Sequence, residues 1–182
     1  MDVPIIKTAR LVLRTFSEQD IDPLFHILQE KDVLRYFPPN PNPLNRERAE
    51  RIITRQQEHW QEHGYGWWGV ESQNDKELIG WCGLQYLPET DEVEVAYLLS
   101  KAYWGKGLAI EAAQASLHFG FENLGFERIV GIVHLENIAS QRVLEKLGMQ
   151  LTEAKVYFGM DCYRYKIERL NDKNVPVRLI PD

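Results

Sequence analysis

The hydrophobic positions of this chain fall into two periods, and the switches between them mark out the elements. Leu11–Phe16, β-branched and aromatic, reads as a short strand. Ile21, Leu24, Phe25 and Leu28 then recur at helical spacing, behind Ser17 as a cap and the acidic first turn Glu18-Gln19-Asp20. The stretch Pro38–Pro43 cannot continue a helix, but it is short enough to join elements and not domains. Asn45 caps a second helix reaching His63, with Ala49, Ile52, Ile53, Gln56 and Trp60 inward and Gly64 as its stop. Beyond Gly64 the pattern turns to strands, Gly66–Glu71, Glu77–Leu87 and Glu92–Leu99, whose short connections imply an antiparallel meander. A long helix over Lys106–Asn123, a strand over Arg128–His134, a helix over Asn137–Leu147 stopped by Gly148, and strands over Leu151–Phe158 and Cys162–Arg169 complete the pattern. The order is α+β, mostly antiparallel, with one β-α-β crossover in the second half.

At 182 residues, with no linker, a single domain is expected over Met1–Leu170, followed by an irregular tail at Asn171–Asp182. The 44% hydrophobic and 11% aromatic content supports a sizeable core and excludes disorder for the bulk. A net charge of −6 gives no general attraction for nucleic acid or anionic lipid, so an anionic ligand needs a local site. Cys82 and Cys162 form neither a disulfide framework nor a metal-binding cluster, which fits a reducing cytoplasm. Met1–Leu13 has no apolar run of signal length, and no run long enough to span a membrane follows, so a cytoplasmic protein is expected.

The most informative stretch is Tyr97-Leu-Leu-Ser-Lys-Ala-Tyr-Trp-Gly-Lys-Gly-Leu-Ala109, a strand end and a Gly-x-Gly loop opening the longest helix. Glycines let the backbone turn its amides into one concavity, and the helix N-terminus adds its dipole, which suits a pyrophosphate. A plain strand-to-helix turn would explain the glycines equally well. A phosphate-binding P-loop is excluded because Gly107, and not Ser or Thr, follows Lys106. A dinucleotide fingerprint fails at Ile110, and the preceding strand closes an antiparallel meander.

Trp104-Gly-Lys-Gly-Leu-Ala-Ile-Glu-Ala112, followed by Asn137-Ile-Ala-Ser-Gln-Arg-Val-Leu-Glu-Lys-Leu-Gly-Met149, resembles the GNAT acyltransferases, most closely their RimJ/RimL-type branch. The similarity spans Thr8–Arg169 and includes Thr8–Arg14 and Val33–Pro38. It implies the GNAT fold, a bent sheet of six to seven strands with about four helices, splayed between its fourth and fifth strands. It also implies acetyl-CoA as acyl donor, an amine acceptor, direct attack in a ternary complex and no metal. A homodimer is plausible for that branch.

By that resemblance the acyl carbonyl is polarised by a backbone N–H at the bulged end of the fourth strand, Leu98, Leu99 or Ser100. The amides of Trp104, Gly105, Lys106, Gly107, Leu108 and Ala109 hold the pyrophosphate, Trp104 departing from the Gln or Arg usual there. Asn137 bonds the pantetheine amides, although it is equally a good helix cap, and Ser140 faces the same side. Many relatives place a general-acid Tyr where this chain has Leu144, leaving Ser140 as the hydroxyl for the leaving thiolate. Glu94 is the expected base, acting through water, with a solvated carboxylate on a strand face as the competing reading.

Deprotonating a lysine of pKa ~10.4 at pH 7 costs about 4.6 kcal/mol, against roughly 1.4 for an α-amine near ~8. A weak or indirect base therefore suits α-amines, so peptide or protein N-termini rank first, ahead of polyamines, amino acids and antibiotics. A non-catalytic acyl-CoA sensor is the rival. Loops around Arg35–Asn45 and Trp67 are expected to shape the choice of acceptor. His59-Trp-Gln-Glu-His63 matches an H-x-x-E-H zinc signature but sits at a helix end with no third ligand identifiable. Trp60, Trp67, Trp68 and Trp81 read as core or as an acceptor wall, and His134 as a satisfied polar residue or a proton shuttle. Cys82 reads as a buried thiol and not a nucleophile.

Overall fold

A computed structural model describes residues 3–169; the expected tail at Asn171–Asp182 lies outside the described residues. Eight strands form one sheet in the order β1-β2-β3-β4-β5-β6-β8-β7. They are β1 (Ile6–Lys7), β2 (Leu11–Arg14), β3 (Trp67–Ser72), β4 (Leu78–Leu87), β5 (Glu92–Leu99), β6 (Arg128–His134), β7 (Gln150–Tyr157) and β8 (Met160–Glu168). The helices are α1 (Ile21–Gln29), α2 (Arg46–His63), α3 (Leu108–His118) and α4 (Ile138–Lys146).

Local chemistry accounts for most boundaries. The Asn45 side chain accepts from Arg48 N at 3.0 Å to cap α2, and Gly64 at φ 75° ends it in the left-handed conformation. Ala49, Ile53, Gln56 and Trp60 form its buried stripe. Three boundaries differ from the sequence pattern. Ser17 and Asp20 form a capping box around a 3-10 turn, so α1 proper begins only at Ile21. The helix expected from Lys106 begins at Leu108, and its last turn, Phe119–Asn123, widens into a π-helix. The sheet has eight strands and not six or seven, because Ile6–Lys7 folds back on Val12 and Leu13 as a two-residue edge.

Two apolar clusters cover the sheet. Trp60, Trp68, Ile79, Cys82, Leu84, Ala112, Leu117 and Phe119 belong to one. Leu24, Leu28, Ala49, Ile53, Leu78, Trp81 and Leu98 belong to the other. Neighbouring strands are antiparallel except for β5 and β6, which are parallel and meet at one bridge, Glu94↔Val130. Beyond it, toward the C-terminal ends of both strands, no further bridge pairs them, and that cleft ends at the loop leading into α3.

The bulge expected at Leu98–Ser100 is one strand away. Pairing of β5 with β4 runs unbroken from Leu87↔Glu92 to Gly80↔Leu99. The irregularity is between β3 and β4, where Val70↔Gly80 is followed by Glu71↔Leu78, leaving Ile79 as the extra residue. Gly80 makes this geometry possible: a Cβ there would sit 2.0 Å from Leu98 O.

Candidate active site

The loop after β5 is a short 3-10 turn, Lys101–Tyr103, followed by Trp104, Gly105, Lys106 and Gly107. Gly105 and Gly107 have φ values of 72° and 76°, which is the left-handed region where side chains are strained. A Cβ on Gly105 would touch nothing within 4 Å, so conformation and not crowding demands glycine there. The loop amides and the first turn of α3, which includes buried Leu108 and half-buried Ala109, form an exposed cradle. Beside it lies a groove of about 400 Å³ lined by Arg10, Gln73, Asn74, Tyr103, Lys106 and Leu108, among others.

Two contacts hold this cradle in shape, and neither was visible in the sequence. Trp104, though 45% exposed, turns back and donates its indole Nε1–H to Leu99 O at 2.7 Å, tying the loop to the end of β5. Arg10 donates through NH1 to Lys106 O at 2.8 Å and through Nε to Glu111 Oε2 at 2.7 Å. The Glu111 carboxylate also accepts from Thr8 Oγ1 at 2.6 Å and from Arg10 N at 2.8 Å. These donors outweigh burial and hold Glu111 below the usual carboxylate range. A carboxylate in the first turn of α3 is thereby compensated by a guanidinium from 101 residues earlier in the chain. Lys106 is exposed, its ammonium 5.2 Å from the centre of the Tyr103 ring.

At the single β5–β6 rung sits Glu94. It is half-buried, and its Oε1 accepts from Ile132 N at 3.1 Å across the opening between the strands. Burial pushes its carboxyl up to about 7, with the Ile132 amide opposing. The reading of Glu94 as a solvated carboxylate on a strand face therefore fails. Glu92, on the same face, is engaged elsewhere, in an ion pair with Arg164.

Of the three amides expected near the carbonyl, Ser100 N is spent on Ile79 O at 2.8 Å. Amides alternate in direction along an antiparallel strand. Leu98 N therefore points to β4 as well, and Leu99 N points to the β6 side, into the cleft. Ser140, in the first turn of α4, has its hydroxyl 2.7 Å from the Tyr97 hydroxyl, which also lies 3.2 Å from Ser140 O. Burial raises the Tyr97 phenol well above its ordinary value. Tyr97 was missed in the sequence because its partner is 43 residues away.

Asn137 caps α4, its Oδ1 accepting from Ser140 N at 3.1 Å. Leu144, where many relatives carry tyrosine, is 2% exposed and belongs to the core. His134 accepts from Glu136 N through Nδ1 at 3.1 Å and packs 5.3 Å from Tyr36. Trp67 stacks on Trp81 at 3.7 Å, with Phe37 edge-on to Trp81, so the segment after α1 reaches this wall. Trp60 and Trp68 lie in the opposite core, their indoles donating to Trp67 O and Pro4 O. Cys82 is buried 3.4 Å from Ser116 Oγ, and burial pushes its thiol up to about 12. His59 and His63 pack at 4.4 Å, and burial lowers His59 to about 4.

A cradle of backbone amides leading into a cleft with a near-neutral carboxyl and paired hydroxyls is suited to acyl transfer. The family profile of the acetyltransferase (GNAT) domain matches residues 10–150. The chain belongs to the GNAT acetyltransferase family. This GNAT chain is 34% identical over 151 residues to the uncharacterized N-acetyltransferase YoaA of Bacillus subtilis (strain 168), spanning 81% of this chain and 83% of that protein. A GNAT-family acetyltransferase structure from Bacillus anthracis superposes with a TM-score of 0.77 at 26% identity, covering 91% of this chain and 98% of the other. The fold is also that of RimL, a ribosomal L7/L12 α-N-protein acetyltransferase in complex with coenzyme A, with a TM-score of 0.75 at 18% identity over 91% and 98% of the chains. The protein is thus an acetyl-CoA-dependent N-acetyltransferase. Among the described residues no helix is long and apolar enough to cross a membrane.

Proposed function

We propose that this GNAT enzyme acetylates the α-amino group of a peptide or protein N-terminus, with Glu94 as base and Ser140 as proton donor to the leaving thiol. The observation that carries this reading is Glu94, at the mouth of the β5–β6 cleft with its carboxyl raised to about 7. Moving a proton from an α-ammonium of pKa ~8 to such a base is uphill by about 1.4 kcal/mol, against roughly 4.6 for a lysine ammonium. The base is matched to the weaker amine.

In this scheme the amides of Trp104–Ala109 hold the pyrophosphate of acetyl-CoA, and Lys106 adds charge at the rim. Asn137 and Ser140 line the path of the pantetheine arm, and Leu99 N–H donates to the acyl oxygen as negative charge develops there. Glu94 takes the proton as the amine nitrogen attacks the acyl carbon, directly or through one water. Collapse breaks the C–S bond, and the thiolate takes a proton relayed through the Ser140 hydroxyl, which regains one from solvent in the same step. Tyr97 lies behind Ser140 as a positioning residue, its hydroxyl fixing the direction of the serine O–H. The Trp67–Trp81 stack and Tyr36 form the acceptor-side wall. Localisation in the cytoplasm, where such N-termini and acetyl-CoA meet, completes the reading.

The test is a thiol-release assay against short peptides with free or blocked N-termini, lysine-containing blocked peptides, and small polyamines. Turnover only with free N-termini supports the proposal. Preference for polyamines or blocked lysine peptides overturns the acceptor, and acetyl-CoA binding without any turnover overturns Glu94 as a working base.

A further inference from the structure

The segment after α1 carries two side chains toward the end of β6. Val33 is buried and Phe37 lies edge-on to Trp81, so the segment is anchored on both sides of Arg35 and Tyr36. Glu30 Oε2 accepts from Lys101 N at 2.7 Å, and Asp32 pairs with Lys101 Nζ at 2.9 Å, which fastens it to the chain just beyond β5. Between these anchors the Tyr36 ring lies 5.3 Å from that of His134, and the Arg35 guanidinium carbon lies 5.3 Å from the centre of the Tyr36 ring.

His134 is placed here as a donor and not as a proton shuttle. Its Nδ1 accepts from Glu136 N at 3.1 Å, which puts the proton of the neutral ring on Nε2. Among the described residues neither Nε2, nor the Tyr36 hydroxyl, nor the Arg35 guanidinium has a hydrogen-bond partner, and none of them is sealed from solvent. Asp32, the carboxylate nearest to Arg35 in the chain, is spent on Lys101.

Register sets these donors beside the reacting carbon. Side chains alternate along a strand, so His134, four residues beyond Val130, shares the face of Val130 and of its rung partner Glu94. Four residues beyond Glu94 on the parallel neighbour is Leu98. His134 thus stands level with Leu98 across the cleft, about 13 Å from the rung and one residue short of the Leu99 N–H assigned to the acyl oxygen. An amine that reaches the acyl carbon from the Glu94 face brings the substituents of its own α-carbon to the three donors.

We propose that Arg35, Tyr36 and His134 form a subsite for a carboxylate within one residue of the reacting amine. In a peptide that group is the side chain of a first-position aspartate or glutamate. A carboxylate has lone pairs for all three donors and matches the guanidinium fork, whereas the second ammonium of a polyamine meets a cation. The inference rests on the proposed acceptor, an α-amine approaching on the Glu94 face. The α-carboxylate of a free amino acid offers the same chemistry, so the test separates the two sources.

The full chain is assayed with peptides beginning with Asp or Asn, nearly equal in size and different in charge, and with free alanine against alaninamide. The expected result is a kcat/KM about tenfold higher for the Asp peptide, carried by KM, with the ratio falling to about one in Arg35→Gln and inverting in Arg35→Glu. Arg35 is exposed, and circular dichroism of each variant separates loss of recognition from loss of fold. A preference for alanine over alaninamide that Arg35→Gln abolishes supports the subsite and overturns the peptide acceptor. Equal rates within both pairs overturn the subsite and leave the α-amine reading standing, while turnover of polyamines alone overturns both. An Asp preference that survives Arg35→Gln also overturns the subsite. If no acceptor turns over, calorimetry of the N-acetyl-Asp and N-acetyl-Asn peptides with coenzyme A bound makes the same comparison, tighter binding of the Asp product supporting the subsite and equal affinities overturning it.

Discussion

The amide cradle after β5 and the cleft between β5 and β6 both adjoin the end of β5, yet they are made of different material. The cradle is backbone: two glycines at positive φ, a run of amides and a helix start, exposed and contiguous over Trp104–Ala109. The cleft is lined by side chains: Glu94 reaches across it to Ile132 N, and the Tyr97–Ser140 hydroxyl pair, joined by the crossover through α3, lies on the other face of the sheet by the alternation of side chains along β5. A backbone site tolerates almost any side chain that leaves its dihedral angles alone. A side-chain site depends on burial and on one or two hydrogen bonds. Substitutions in the cradle should therefore act on the KM for acetyl-CoA, and those in the cleft on kcat.

The sharpest division is expected at Glu94. Glu94→Gln should lower kcat by about 10²–10⁴-fold, the usual range for loss of a general base, with little change in acetyl-CoA affinity by calorimetry. The acid limb of kcat near pH 7 should vanish with it, since the wild-type carboxyl must lose its proton to act. Ser140→Ala comes next, with a loss of about 100-fold in kcat. Tyr97→Phe should cost less, about tenfold in kcat at unchanged KM, and double-mutant kinetics should show that it adds nothing once Ser140 is alanine. In the cradle, Gly107→Val should weaken acetyl-CoA binding about tenfold or more through strain of roughly 1–3 kcal/mol at a φ of 76°. Arg10→Ala and Trp104→Ala should raise the KM a few-fold and leave kcat alone; a fall in kcat at saturating acetyl-CoA would break the division.

The remaining effect is on stability. The folded-state pKa of Glu94, about 7, lies above its ordinary value of 4.5. The folded form therefore holds the proton more tightly, and the associated stability is complete below pH 4.5 and lost as pH rises through 7. Thermal melts should show Glu94→Gln gaining on the wild type by about 3 kcal/mol at pH 8 and by less than about 1 kcal/mol at pH 5.

The same contrast decided what the sequence could disclose. Gly105 and Gly107 are two residues apart and announce their backbone angles locally, so the cradle was legible, as were the cap at Asn45, the stop at Gly64 and most strands. Arg10 and Glu111 are 101 residues apart, and no local pattern links them. The burial of Glu94 arises from β6 passing beside it, while its alternation with Val93 and Val95 suits a wet face equally well. Trp104 looked like a lost ligand contact because its indole reaches Leu99 O only after the loop has turned. The displaced irregularity at Ile79 follows from a three-strand arrangement around Gly80 that a strand-by-strand reading does not contain.

The lone Glu94↔Val130 rung has a mechanical side. The other breaks in the ladder are single-residue shifts at Ile79 and Thr152, so this junction is a seam between a five-stranded and a three-stranded half, joined otherwise by side chains. An acetyl-CoA arm lying in the cleft would bridge the seam, which makes the donor a strut as well as a reagent. At a donor concentration 100-fold above Kd the bound chain gains about 2.7 kcal/mol, enough to raise its melting temperature by roughly 5–10 °C. Each turnover that releases coenzyme A would then also slacken the sheet, and the next donor would brace it again.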